Sequence, residues 1–364
     1  MTEFLEVAGR WFLRSGIQEP NGGVARYYRS DSHQNAPVSN EITGYAVSAL
    51  VYLHQVTGIQ EYLDAALRAA RFLIQDAWNG ECHTFPFEPG SAYAYFFDTG
   101  IIVRGLLAAW RATGDEEFRS RVRDAALSLA FDFMGQGEFH PVILLPDKQP
   151  APSEPRWSRR PGCYQLKAAL AWFDLGVQDA IRLFESVLAS SLATHEAFLR
   201  EETDRERIMD RLHAYCYFLE ALLAVAERPE CRGALRDGID RVASLRREIA
   251  PVFERTDVAA QLLRVRLIAH HLGAVPLDEK AACEEAAVVS SYQAASEDPR
   301  IQGGFWFGRK RTGRSSVPLC AFQEECGEKL PFVNPASTAF ALQALELWRE
   351  HCTGAWRFQL GELI

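Results

Sequence analysis

Four polar residues stand where chemistry would need them. Glu41, Asp98, His213 and Asp257 each open or lie close to the start of an apolar stretch of this 364-residue chain. Paired carboxyls are the tools of glycosidic-bond hydrolysis, one giving a proton while the other acts as base or nucleophile. Glu41 and Asp98 form the expected pair, with Asp257 as a substitute for either. Each also has a plainer reading. Asp98, in Phe-Asp-Thr-Gly, has the position of an N-cap, a role that stabilises a helix by about 1 kcal/mol. Such a site favours the anion, whereas a proton donor needs burial or a second carboxylate. Asp98 therefore suits a base or a sugar-hydroxyl acceptor unless Glu41 lies close. Glu41 reads equally as a first-turn acid behind an Asn40 cap, and Asp257 as an ion-pair partner of Arg255 or Arg264. His213 is a general acid or base with Tyr215 and Tyr217 nearby, or a satisfied core histidine.

A second set of residues would hold a ligand: Arg26, Tyr28, Tyr95, Trp157, Arg159, Tyr164, Tyr215, Trp306 and Asn334. Flat rings beside polar groups are suited to stacking on sugar faces, and equally to plugging the mouth of a fold. Arg26, Arg29, Arg156, Arg159, Arg160, Arg309, Lys310, Arg311 and Arg314 gather in the loop segments of a chain whose formal charge is −9. Arginine matches carboxylates bidentately, so a basic mouth on an acidic body points to an anionic ligand such as a uronate. The alternative is solvated loop charge offset by Glu324, Glu325 and Glu328.

The elements that must position these groups are legible as a repeat. Thr43-Gly44-Tyr45-Ala46-Val47-Ser48-Ala49-Leu50 aligns with Thr99–Leu106 and with Thr338–Leu345, and less fully with Thr256–Leu263. Weaker copies at Cys163–Leu170 and Tyr215–Leu222 bring the number to six. Each begins a helix that is apolar around most of its circumference, the signature of a buried one. Between them, amphipathic patterns predict half-exposed helices at about 2–16, 59–76, 114–134, 177–198, 231–248 and 276–297. Links from inner to outer helix are short. Several links from outer to inner helix are long (17–39, 77–97, 135–161 and 298–334), and long loops in a compact domain are usually functional. Twelve helices in this alternation satisfy their apolar faces by closing into two concentric rings. The expected fold is all-α, one toroid of six helical hairpins spanning 1–364, with the candidate residues at a common rim.

On these repeats the whole chain resembles the (α/α)6 toroid shared by six-hairpin glycosidases, polysaccharide lyases and sugar epimerases. Two loops, Asn21–Tyr28 with Gly22-Gly23 and Gln302–Gly308 with Gly303-Gly304, are also similar to the Gly-Gly-aromatic turns of prenyltransferase and squalene-cyclase repeats. No DxDD and no DDxxD motif is present, so the acid or diphosphate-metal site of a terpene cyclase is missing. The resemblance implies a carbohydrate-active enzyme, with hydrolysis of an oligo- or polysaccharide by the carboxylate pair as the preferred chemistry. A uronate epimerase or lyase using His213 or a tyrosine is the first alternative; a terpenoid-cyclase-like toroid and a non-catalytic toroid binding a glycan or protein follow.

Composition narrows the field further. With 48% hydrophobic residues, the chain has the material for a large core and is not disordered. Its acidity disfavours a nucleic-acid partner, no stretch is long and apolar enough to span a membrane, and the first residues lack the pattern of a secretory signal. A cytoplasmic protein is expected. The eight cysteines follow no disulfide or zinc spacing, so neither metal nor cofactor is expected. Oligomeric state is left open.

Overall fold

The computed structural model describes residues 3–200, 202–311 and 328–364. Among them are twelve α-helices in six outer–inner pairs: α1 (Glu3–Arg14) with α2 (Asn40–Thr57), α3 (Gln60–Phe72) with α4 (Phe96–Thr113), α5 (Glu116–Phe131) with α6 (Gln165–Leu175), α7 (Gln178–Arg200) with α8 (Arg205–Leu222), α9 (Pro229–Ile249) with α10 (Thr256–His271), and α11 (Glu279–Ser291) with α12 (Pro335–Thr353). The even-numbered helices are buried along most of their length. They pack in sequence, α2 on α4, α4 on α6, and so on to α12, which returns to α2. The ring closes. The odd-numbered helices lie outside it: α1 packs on α12 and α3, and α9 on α8 and α10. This is the (α/α)6 toroid.

The repeat has a mechanical meaning. Its threonine ties the incoming loop to the inner helix. The Thr43 hydroxyl accepts the Val24 N–H at 2.9 Å and donates to the Ser39 carbonyl at 2.7 Å. Thr338 does the same with Phe305 N–H (3.0 Å) and the Asn334 carbonyl (2.9 Å). The Gly-Gly pairs precede these bonded residues. Gly22 and Gly303 have φ of +97° and +86°, and a Cβ on either would run into the backbone carbonyl of Arg68 or of Val7 on an outer helix. Only glycine has both the conformation and the clearance.

The fourth copy was read out of frame. Thr256 is the first residue of α10, whereas Thr43, Thr99 and Thr338 are each the fourth of theirs. In structural register Asp257 matches Glu41, not the glycine of the repeat. The amphipathic pattern also overran at 276–297, because α11 ends at Ser291 and the chain turns into a bridge between Gln293 and Phe305.

Small sheets, absent from the sequence reading, brace the rim. β1 (Tyr28–Arg29), β2 (Gln34–Asn35) and β9 (Phe332–Val333) form one; β3 (Tyr93–Tyr95), β4 (Val142–Leu144) and β5 (Gln149–Pro150) another; β6 (Phe253–Arg255), β7 (Gly308–Lys310) and β8 (Glu328–Lys329) a third. All pairings are antiparallel. β3 and β6 run directly into α4 and α10, so these strands fix where the inner helices begin.

Candidate active site

A cavity of about 540 Å³ opens where the inner helices start. From its level the inner helices carry side chains down towards the ring's interior at helical spacing: Glu41 then Tyr45 on α2; His213, Tyr217 and Glu220 on α8; Asp257, Gln261 and Arg264 on α10. The upper residues Glu41, His213 and Tyr217 line the open space together with Asp98. Below them the interior is filled from opposite walls. Tyr45 and Tyr217, from helices across the ring, stack with centroids 6.5 Å apart, and Phe97 meets Tyr217 at 4.6 Å. Deeper still, Lys167, Glu220 and Arg264 form a fully buried charge cluster. Lys167 Nζ is 3.0 Å from Glu220, Arg264 also pairs with Glu220, and both cations donate to the Ile364 carbonyl oxygen.

Glu41 and Asp98 come from helices whose backbones touch: a Cβ on Gly105 of α4 would lie 2.5 Å from the Gly44 oxygen of α2. Neither acid caps its helix. Ser39 caps α2, Asn40 instead reaches the Pro86 carbonyl at 2.7 Å, and Asp98 is the third residue of a helix whose cap position is Tyr95. Asp98 is 7% exposed, and its Oδ2 has no hydrogen-bond partner. Burial first and the Glu41 charge second push its carboxyl well above the usual range, while Arg26 and Arg156 pull it partly back. Burial raises Glu41 to about 7, opposed by Arg26. Burial favours the protonated form of both carboxyls, and at Asp98 the Glu41 charge adds to it. Glu41 lies close enough for its charge to raise Asp98.

His213 is held on the opposite side of the cavity. Its Nδ1 is 2.7 Å from Gln261 Oε1 and 3.5 Å from Asp257 Oδ2. Burial lowers its pKa despite the Asp257 charge, so the imidazole is neutral at physiological pH. Asp257 itself does not line the cavity. Arg255 grips it at 3.0 and 2.6 Å, and the Val258 N–H donates to it at 2.9 Å. Its buried carboxyl is kept ionised chiefly by Arg255. Its carboxylate is thus taken up by Arg255, with His213 beside it.

Of the predicted ligand-binding residues, Tyr95, Trp157 and Tyr164 line the cavity. Arg159 and Arg26 stand beside it. Arg159 lies over the rings of Tyr93 and Tyr95, 4.6 and 5.8 Å from their centroids, and bonds Glu154 at 2.8 Å. Arg26 pairs with Glu88 over the Phe87 ring. The remaining four are not brought to the cavity. Tyr28 is buried under the Arg300 guanidinium. The Tyr215 hydroxyl bonds His195 at 2.8 Å, facing the outer helix because it is two residues from both His213 and Tyr217. Trp306 packs in the loop, pairing with β9, and Asn334 spends its side chain capping α12 at Ser337 N–H. The basic mouth is largely neutralised: Arg29 pairs with Asp31, Arg309 with Glu254 and Lys310 with Glu206. Arg314, Glu324 and Glu325 lie outside the described residues.

Several lining residues were missed. Phe87, Phe97, Glu202, Arg207, Arg211 and Arg255 face the cavity, together with Asp210 and with Arg156 of the basic loop segments. α8 starts at Arg205, well before the repeat match at Tyr215. Continuing the spacing of Tyr217 and His213 backwards reaches Asp210 and Arg207, so that face could have been found. Arg156 and Arg207 form no salt bridge among the described residues. Among those residues no three His, Cys, Asp or Glu side chains are placed to hold a metal ion, and no helix is long and apolar enough to cross a membrane.

No family model matches the chain, and no curated protein sequence does. Solved structures do. The cellobiose 2-epimerase of Spirochaeta thermophila DSM 6192 superposes with a TM-score of 0.68 at 15% identity over 95% of this chain and 97% of that one. A polysaccharide lyase gives 0.62 at 14% identity, covering 98% and 99%. The GH76 α-mannanase BT2949 of Bacteroides thetaiotaomicron gives 0.61 at 9% identity, covering 97% and 98%. The likeness shows a shared fold, the (α/α)6 toroid. Fold likeness at these identities reaches across three chemistries, and the site must choose among them.

Proposed function

We propose that this protein is a carbohydrate-active enzyme that hydrolyses glycosidic bonds in an oligo- or polysaccharide, with Asp98 as proton donor and Glu41 as base or nucleophile. One observation carries the reading: two carboxyls on adjacent inner helices line one cavity, and burial raises both. Asp98, raised well above the usual range by burial and by the Glu41 charge, suits the donor role; Glu41, raised to about 7 against the pull of Arg26, suits the role of base or nucleophile. That division of labour is what glycoside hydrolysis requires. Tyr95, Trp157 and Tyr164 supply ring faces, and Arg156 and Arg207 supply charge for an anionic substituent such as a uronate carboxylate. The charged, acid-bearing lining disfavours a terpenoid substrate, and the electrostatic coupling of the two acids disfavours a purely non-catalytic binder.

A second reading rests on His213. A neutral imidazole backed by Asp257, facing a wall of arginines, suits proton abstraction beside a carboxylate, as epimerisation or β-elimination of a uronate demands. The two readings differ in one experiment. Neutral and uronate-bearing oligosaccharides are screened for turnover, and the active ones are tested with Glu41→Gln, Asp98→Asn and His213→Asn. Hydrolysis predicts that each carboxyl substitution lowers kcat by about 10²- to 10⁴-fold while His213→Asn has a smaller effect. The opposite pattern, with Glu41→Gln tolerated, overturns the proposal in favour of the second.

A further inference from the structure

The central cavity does not exhaust the hollow space at this rim. A second cavity of about 260 Å³ lies behind its wall, between α7, the loop at 137–139 and the start of α6. The two share a partition. Tyr164 faces the central cavity while Gly162 and Gln165 line the second. Arg211, on the central side, donates to the Phe198 carbonyl at 2.6 Å, and Phe198 lines the second cavity.

The two linings differ in chemistry. The central cavity is rich in charge, whereas the second presents the hydroxyls of Ser186, Ser190, Ser191 and Thr194, with Glu138 as its one charged lining residue. Their spacing of four, five and eight residues puts these hydroxyls on one face of α7. Elsewhere α7 buries Phe184, Val187, Leu188 and Leu199 against the ring. Leucines in place of Ser190 and Thr194 would close the hollow, and hydroxyls keep it open. Ser191, at the floor, is 3% exposed and its hydroxyl makes no hydrogen bond to protein among the described residues. That hydroxyl meets the open space of the cavity, where a ligand can supply its partner. Thr194 already donates to the Ser190 carbonyl at 2.8 Å, leaving its lone pairs to accept. The volume falls below the roughly 300–1,000 Å³ of a drug-sized pocket, which suits one ring rather than a chain.

We propose that this second cavity is a subsite for an uncharged sugar unit, distal to the Glu41–Asp98 pair. It extends the proposed reaction to substrates long enough to reach over the Tyr164–Phe198 partition, and rests on that reading only for what the central cavity holds. Ser190 and Thr194 are exposed at its edge, so Ser190→Leu and Thr194→Leu fill the space without disturbing the core.

The test is isothermal titration of wild type and both variants with gluco-, manno- and xylo-oligosaccharides of two to six units, with reducing ends assayed in the same samples. The expected result is at least one series whose affinity rises tenfold or more with length in wild type. Both variants should lose that rise while binding the shortest ligand unchanged, with melting temperatures near wild type to confirm folding. Variants that match wild type along every series, or the absence of any length dependence, overturn the subsite. Length-dependent binding that the variants abolish, without release of reducing ends, retains the subsite and removes the hydrolytic reading instead.

Discussion

Glu41 is kept in a state its own solution chemistry disfavours. Between about pH 4.5, where a free glutamate ionises, and about 7, where this one does, the folded chain holds a proton that the unfolded chain has lost. The folded state then binds more protons, so the Glu41 contribution to stability falls as pH rises across that window. Glu41→Gln removes the penalty. Its unfolding free energy at pH 7.5 should exceed that of wild type by on the order of 2 kcal/mol, with the gain shrinking towards pH 4. Urea titrations at the two pH values check this, and a variant no more stable than wild type at pH 7.5 would remove the case for a desolvated acid. The identities of Glu41, Asp98 and His213 as rim residues were legible in the sequence, because each falls at a fixed place in the repeat. Their protonation was not, since it comes from burial by helices distant in the chain. Asp257 pairs with Arg255, one of the two readings open from the sequence; its match to the repeat lay three residues out of helical register, so the repeat could not decide between them.

Helices were the easiest elements to read and strands the hardest. A period of 3.6 persists over twelve to twenty residues, whereas a strand such as Tyr28–Arg29 is too short to show any alternation. The small residues of the repeat were legible too, and their use can be tested. A methyl group on Gly105 would meet the α2 backbone at 2.5 Å, while one on Gly233, within α9, would meet nothing within 4 Å. Gly105→Ala should destabilise the fold by about 1–3 kcal/mol by prising α2 from α4. Gly233→Ala should stabilise it by about 0.5–1 kcal/mol through helix propensity alone. Thermal melts of both proteins decide it; a Gly105→Ala chain as stable as wild type would mean that the two helices are not in backbone contact. Because Glu41 and Asp98 ride on those same helices, Gly105→Ala should also weaken their coupling.

Closure of the ring was foreseen from the alternation of buried and half-buried helices, but not what fills it. Glu220 carries the opposing charge for both Lys167 and Arg264, and all three are wholly enclosed. Burial lowers the lysine to about 7 even with that partner. Glu220→Ala would remove the side-chain carboxylate that Lys167 and Arg264 share and should cost about 3–5 kcal/mol. Removing the exposed Glu116 that pairs with Arg119 should cost less than about 1 kcal/mol. Comparable urea midpoints for the two variants would show the cluster to be hydrated rather than enclosed. The cluster and the tyrosines above it have a consequence for traffic. With its axis blocked, the molecule is a cup rather than a pipe: a polymer can lie across the brim or dip one end inside, but cannot be threaded through. Under the proposed hydrolysis, fragments would back out by the doorway through which the next molecule arrives, so departing pieces and incoming chains would compete for the same passage.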